Sequence, residues 1–267
     1  MSHLTFPHVD EDPATHDPID EEHRVYNYYT VGENNSAIIN SWKWFSYSDA
    51  FIDRLWQLQP DKFPVVRGPG YSYASTRAFI PLGSYEFINN SSVYHPTPFP
   101  KEIFQIIDAL EAIPGVGKDS FNAGVLEYFP NPTVGFAPRG KRTYNYEAGK
   151  PYAILCFGDQ KFYRRLMING LVGVGSMDRH LVTLPLGGGT LALFLGDAYK
   201  MYTEAMGPDK DPSFAEVRMI MLSLFCYKRV NRLDDEIKEQ RIINRSIFDP
   251  EFKIVPIHTP KNLIEKQ

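Results

Sequence analysis

The chain predicts a mainly β protein with flanking helices, built as a sandwich or barrel in one large domain with appendages. Three observations carry this. From residue 121 to 228, short runs rich in Val, Ile, Leu, Phe and Tyr alternate with Gly and Pro turns. No helical period falls between those runs, which excludes the alternating strands and helices of a parallel sheet. With 267 residues, 43% hydrophobic and 14% aromatic, the chain can bury a substantial core as a single unit.

Residues 1–23 are acidic, contain Pro and show no apolar period, so they read as an extended arm. Arg24 to Thr30 (RVYNYYT) has the Val and Tyr content of a strand, and Ala37 to Phe45 (AIINSWKWF) follows with Trp42 and Trp44 on one side. In Asp49 to Leu58, Phe51, Ile52, Leu55, Trp56 and Leu58 recur at helical spacing and predict a core-facing helix. Residues 61–100 are rich in Gly, Pro, Ser and Tyr, including RGPGYSYAS and HPTPFP, and predict an irregular, partly exposed segment of the kind that carries function.

Lys101 to Ile113 is the clearest helix: Pro100 suits its first turn, Ile103, Ile106, Ile107 and Leu110 form one face, and Pro114-Gly115 stops it. The strand candidates beyond it are Gly124 to Phe129, Thr133 to Phe136, Tyr152 to Phe157, Lys161 to Met167, Leu181 to Leu186, Thr190 to Leu195 and Val217 to Tyr227. Asn231 to Asn244 reads as an exposed charged helix and Arg245 to Gln267 as a second arm. The expected division is an N-terminal arm (1–23), a β domain with helical and loop elaborations (24–229), and a C-terminal helix and arm (230–267).

A net charge of −4 and a pI near 6.0 give no general basic face, so nucleic acid would need a local patch. Arg139, Lys141 and Arg142 form one, in a turn that is either simply solvated or a partner contact. Cys156 and Cys226 sit in apolar runs, which suits buried thiols in a reducing compartment rather than a disulfide framework. No run of about 18 uncharged apolar residues exists to span a bilayer, and the acidic start fits neither a secretory signal nor a transit peptide. The expected location is intracellular.

The stretch Asn122 to Glu147 is where chemistry is expected, yet its motifs are poor. A metal site with two imidazoles and one carboxylate needs converging ligands, and the literal His-x-Asp match, His8-Val9-Asp10, lies in the acidic arm. His95 sits in a loop and His180 beside an apolar strand. Gly187-Gly188-Gly189 would cradle phosphate only if a helix followed it. The segment after it reads as a strand, so a tight hairpin is expected. No Cys or Ser is placed with a His as a nucleophile.

The order of segments nevertheless resembles the AlkB-like family of iron and 2-oxoglutarate dioxygenases. The residues concerned are RGPGYSYAS, PFPKEIFQIIDAL, FNAGVLEYF, AILCFGDQKFYRR, LPLGGGTLALFLGDAYKMYTEAMG and EVRMIMLSLF, about residues 65 to 228. The resemblance implies a double-stranded β-helix (jelly-roll) core with helices on the major sheet. It also implies that the iron triad is degenerate: Ala137 and Arg139 stand where family members carry His and Asp, and Glu204 stands at the second His. Glu127 and Phe129 replace an Asn and a Tyr that would contact 2-oxoglutarate. Arg218 matches the first of two carboxylate-binding arginines and Leu224 occupies the second, leaving Arg218 to hold a residual carboxylate or to pair with Glu216 or Glu204. Tyr71 and Tyr73 match a substrate-gripping loop. Independently of any alignment, no His occurs in residues 121 to 150.

The expected function is therefore that of a catalytically inactive AlkB-like protein, a binding or structural subunit with protein partners on both terminal arms and no cofactor. Phe129, Phe136 and Tyr152 are expected to fill part of the former pocket. One alternative is an iron and 2-oxoglutarate oxygenase whose atypical metal site draws on Glu204, Glu127 and His95 or His180. Another is a non-catalytic nucleic-acid-binding protein using the basic turn, with Tyr71, Tyr73, Tyr144 and Tyr146 as stacking platforms.

Overall fold

The computed structural model describes residues 26–30, 37–41, 44–58, 65–66, 75–76, 78–83, 87–89, 92–94, 96–140, 146–147, 149–159, 162–170, 179–196, 198–200, 202–207, 209, 217–227 and 252–253. In chain order the first elements are β1 (Tyr26–Thr30), β2 (Ala37–Ser41), β3 (Ser46–Tyr47), α1 (Asp49–Gln57), β4 (Val65–Val66), β5 (Ser75–Thr76), β6 (Ala78–Gly83), β7 (Phe87–Asn89), β8 (Ser92–Tyr94) and α2 (Lys101–Glu111). There follow β9 (Ala123–Phe129), β10 (Phe136–Gly140), β11 (Tyr152–Gly158), β12 (Tyr163–Gly170), β13 (Arg179–Gly187), β14 (Leu191–Leu195), β15 (Tyr202–Met206), β16 (Met219–Phe225) and β17 (Phe252–Lys253).

Two antiparallel sheets organise these strands. One has the order β1-β2-β14-β11-β16-β9-β6 and the other β10-β15-β12-β13. The alternation of side chains across a strand divides the interior in two. On β16, Ile220, Leu222 and Leu224 face a core shared with the helices, while Met219, Met221 and Phe225 face a core shared with the smaller sheet. On β11, Ala153, Leu155 and Phe157 take the helix side and Tyr152, Ile154 and Cys156 the other. A sheet covered on both faces requires apolar residues at every position, which is why YAILCF and MIMLSLF run without polar interruption apart from Ser223.

The two expected helices form within a few residues of their anticipated ends. Ser48 caps α1 by accepting a 3.3 Å hydrogen bond from the Phe51 amide. Phe51 and Leu55 then bury on one side, as do Ile103, Phe104, Ile106, Ile107 and Leu110 of α2. Tyr128 ties α1 to β9 by donating a 2.9 Å hydrogen bond to the Leu55 carbonyl.

Several expectations are corrected. The segment 61–100 is not irregular throughout: β6 forms a full edge strand in it, opposite β9 from Ala78↔Tyr128 to Gly83↔Ala123. Pro81 hid this strand, and an edge tolerates it because its missing amide faces away from β9, on the side where the Thr97 amide donates to the Pro81 carbonyl at 2.8 Å. The expected strand at Thr133 to Phe136 is a turn and loop as far as Gly135, and the strand begins at Phe136. β15 (YTEAM) was not anticipated, since it is short and has a single inward methionine. Gly187 to Gly189 does turn tightly into β14, but β13 and β14 belong to different sheets, so the feature is a crossing between layers rather than a hairpin. The expected helix 231–244 and both arms lie outside the described residues, except that Phe252 and Lys253 pair with Tyr47 and Ser46.

Tyr47 anchors the start of this layer. Its hydroxyl donates to the Gly158 carbonyl at 2.9 Å and accepts from the Gly158 amide at 2.8 Å, closing the end of β11. A Cβ on Gly188 would collide with the Gly158 carbonyl and the Tyr47 hydroxyl, whereas one on Gly207 would meet nothing within 4 Å. Gly188→Ala is therefore expected to destabilise the protein by about 1–3 kcal/mol in urea unfolding, with Gly207→Ala costing clearly less.

Candidate functional site

The space between the two sheets holds some of the positions that the sequence singles out, Phe129, Phe136 and Tyr152 among them. It is lined mainly by apolar side chains, among them Phe129, Phe136, Leu166, Ile168, Leu184, Met206, Met219 and Met221. Phe129 and Phe136 lie 6.3 Å apart between ring centroids, and Tyr152 stacks on Phe225 at 6.2 Å. All three aromatic residues expected to occupy this space are buried in it.

Arg164 on β12 is buried among them, only 2% exposed. It follows the same alternation as Leu166 and Ile168, so the strand's period turns it inward. Its Nη1 donates to the Val134 carbonyl at 2.5 Å and its Nη2 to the Gly207 carbonyl at 2.6 Å, while the guanidinium carbon sits 5.4 Å from the centre of the Phe129 ring. The Asp209 amide donates to the Pro132 carbonyl at 2.8 Å beside it. Arg164 thus clamps the turn before β10 to the end of β15. Burial pushes its pKa down to about 10, against the opposing influence of Asp209 and Cys156, so it stays cationic at neutral pH. Sequence reasoning missed this residue, although the inward phase of YRRLMI was a usable signal.

Cys156 lies on the same interior, directly across from Met221, which in turn faces Glu127. Burial drives the thiol far above its ordinary range, with Arg164 working against that and Glu127 adding to it. A thiol so held is a poor nucleophile and a poor metal ligand. Cys226, also free and buried, donates to the Glu147 carboxylate at 3.2 Å.

The backbone brings together two of the three expected metal-site positions. Arg139 is directly opposite Glu204 in the β10–β15 ladder, and Glu204 is opposite Ile168 on its other side. Glu204 is 4% exposed. Ala137 lies within β10, and the side chains of Ala137 and Arg139 are outside the described residues. Glu127 is buried, and Phe129 packs against the Arg164 head.

Arg218 is not on this face. It precedes Ile220, Leu222 and Leu224 in the helix-side phase, where it meets Asp53 at 3.5 Å and lies 5.0 Å from the centre of the Trp56 ring. It is half exposed there. Its contacts here are with α1. A period of two keeps positions 218 and 224 off the side of Met219 and Met221, which is the side of the expected residual carboxylate or Glu204 pairing. Glu216, the other expected partner, lies outside the described residues. Tyr146 also differs from expectation: it is buried against Tyr199 and Phe225, so it offers no exposed stacking face. Tyr71, Tyr73, Lys141, Arg142, Tyr144, His8, Asp10 and His95 lie outside the described residues, and His180 is placed on β13 opposite Asn169.

No family model matches this chain, and no curated protein matches it. Among solved structures it is similar to OsALKBH1, with a TM-score of 0.50 and 15% sequence identity over 71% of this chain and 96% of that chain. The fold is similar to that of an AlkB homologue. At this identity the likeness concerns the fold alone.

An iron centre of the two-imidazole, one-carboxylate type does not fit the described residues. The row Arg139–Glu204–Ile168 offers one carboxylate, and no group of three His, Cys, Asp or Glu residues converges among the described residues. The inward residues of β16 are Met219, Met221, Ser223 and Phe225, with no cation for a dicarboxylate. No helix among the described residues is long and apolar enough to cross a membrane.

Replacing Arg164 with Met should leave the Val134 and Gly207 carbonyls without their donors, and a loss of about 2–4 kcal/mol in chemical unfolding is expected. Cys156, Tyr47 and Tyr128 are all raised by burial, so the folded state keeps protons that the unfolded chain releases from about pH 8.5 to 10 upward. Stability should fall through that window. Arg164, lowered to about 10, opposes the fall only above that pH. Urea midpoints from pH 7 to 10 should therefore decline, and less steeply in Cys156→Ala.

Proposed function

We propose that this protein is a non-catalytic member of the AlkB-like dioxygenase fold, acting as a binding or structural subunit of a larger assembly. One observation carries the reading. The sequence has no histidine between residues 96 and 179 or between 181 and 257, so β9 to β12 and β14 to β16 bring no imidazole to the space between the sheets. A metal-dependent oxygenase of this kind binds iron through two imidazoles and a carboxylate.

The jelly-roll form is part of the same proposal. The strand order β9-β16-β11-β14 in one sheet and β10-β15-β12-β13 in the other supports it, because the chain alternates between layers on either side of the β12–β13 hairpin. The polar arms 1–23 and 230–267 are the proposed protein-binding segments, with Arg139, Lys141 and Arg142 as a further contact. Two buried free thiols favour a reducing, intracellular compartment.

The test is direct. Protein incubated anaerobically with Fe(II) and 2-oxoglutarate, desalted and then exposed to oxygen is expected to retain substoichiometric iron and to form no succinate. Stoichiometric iron together with succinate sinks the proposal in favour of an atypical oxygenase. Strong, salt-sensitive binding of labelled single strands would point to the nucleic-acid alternative.

A further inference from the structure

We propose that β17 is a strap: its docking on β3 sets how firmly the Tyr47 hydroxyl holds Gly158, so that a protein partner that draws Phe252 and Lys253 away loosens the junction between the two sheets. The strap goes beyond the non-catalytic reading above and shares with it only the C-terminal arm as a protein-binding segment.

β3 is two residues long, and among the described residues its ladder partner is β17, through Tyr47↔Phe252 and Ser46↔Lys253. Two residue pairs make a weak ladder, which opens far more readily than the seven-pair ladder between β11 and β16. The strap is therefore the part of this layer that a partner can remove without unfolding the large sheet.

Tyr47 carries the effect inward. Its ring packs against Phe45, Phe51 and Phe157, with centroids 5.4, 6.2 and 5.5 Å away, and burial pushes its phenol above the ordinary tyrosine range. The hydroxyl thus keeps both a proton for the Gly158 carbonyl and a lone pair for the Gly158 amide. Gly188, in the crossing from β13 to β14, leaves no room for a Cβ beside that carbonyl and that hydroxyl, and its amide donates to the Asp159 carbonyl at 3.3 Å. One residue is therefore held at both ends, its backbone by β17 and its hydroxyl by the end of β11. A shift of the backbone tilts the hydroxyl against bonds that weaken steeply with angle.

The experiment uses the full chain and reads hydrogen exchange at single amides. Directly opposed residues of an antiparallel ladder have Cα atoms about 4.5–5.5 Å apart, within disulfide reach, so Ser46→Cys with Lys253→Cys locks the strap when oxidised and restores ordinary pairing when reduced. Phe252→Pro with Lys253→Pro removes both amides that the ladder can use and releases it. Exchange at the Gly158 amide is expected to slow about fivefold in the oxidised form relative to the reduced one, and to quicken about tenfold in the proline variant. The Leu222 amide, in the middle of the large sheet, should keep its rate. Tyr47→Phe should quicken Gly158 by itself and cancel the effect of the lock. Equal Gly158 rates in the oxidised and reduced forms overturn the strap. So does a change of the same size at Leu222, or a Gly158 response that survives Tyr47→Phe, since either makes the effect one of general packing. If the proline variant fails to fold, the oxidised and reduced forms decide alone. None of these readings involves iron or 2-oxoglutarate, so the strap and the non-catalytic reading fail separately.

Discussion

The architecture depends on a large sheet that is dry on both faces. β11 and β16 are sandwiched between α1 and α2 on one side and the four-stranded sheet on the other, so neither strand can place a charge at its centre without a partner. This constraint pushes polarity to the rim and to the smaller sheet. Arg164 and Glu204 both belong to the smaller sheet, and Glu127 lies one strand from the edge of the larger one. Arg218 lies before the strand's buried span, beside α1, where Asp53 and solvent receive it.

Arg164 shows how such a fold uses a buried cation to join distant segments. Its two carbonyl bonds join segments that are 73 residues apart, Val134 and Gly207, and its aromatic neighbour covers a face that water would otherwise take. A Cβ at Gly135 would strike the Met206 carbonyl, so the turn before β10 and the end of β15 approach too closely for any side chain there. A clamp of this kind holds the turn before β10 against the end of β15.

Much of this was legible in the residues. The apolar runs of β9, β11, β14 and β16 announced strands, and α2 announced its face and its stop. What stayed hidden had physical causes. β6 carries a proline that only an edge strand allows. β15 is five residues long and half of its pattern is polar. The outward phase of Arg218 depends on where β16 pairs with β11 and β9, which a single chain does not reveal. For the candidate site, the missing imidazoles were readable directly, and the bulge that sets Arg139 opposite Glu204 was not, because it exists only once β15 is present to define the register.

The sheet also has an unusual chronology. β2 takes its place by pairing with β14, and the Asn40 amide reaches the Leu191 carbonyl across a separation of 151 residues. During synthesis β1 and β2 emerge long before the surface that receives them, and β3 gains its partner from Phe252 and Lys253 later still. The β1–β2 pair therefore cannot complete its place in the sheet until β14 has been made, and non-local pairings of this kind favour slow folding. Until then β1 and β2 have no sheet of this chain to join, and unpaired strands in that state expose a folding chain to association with others.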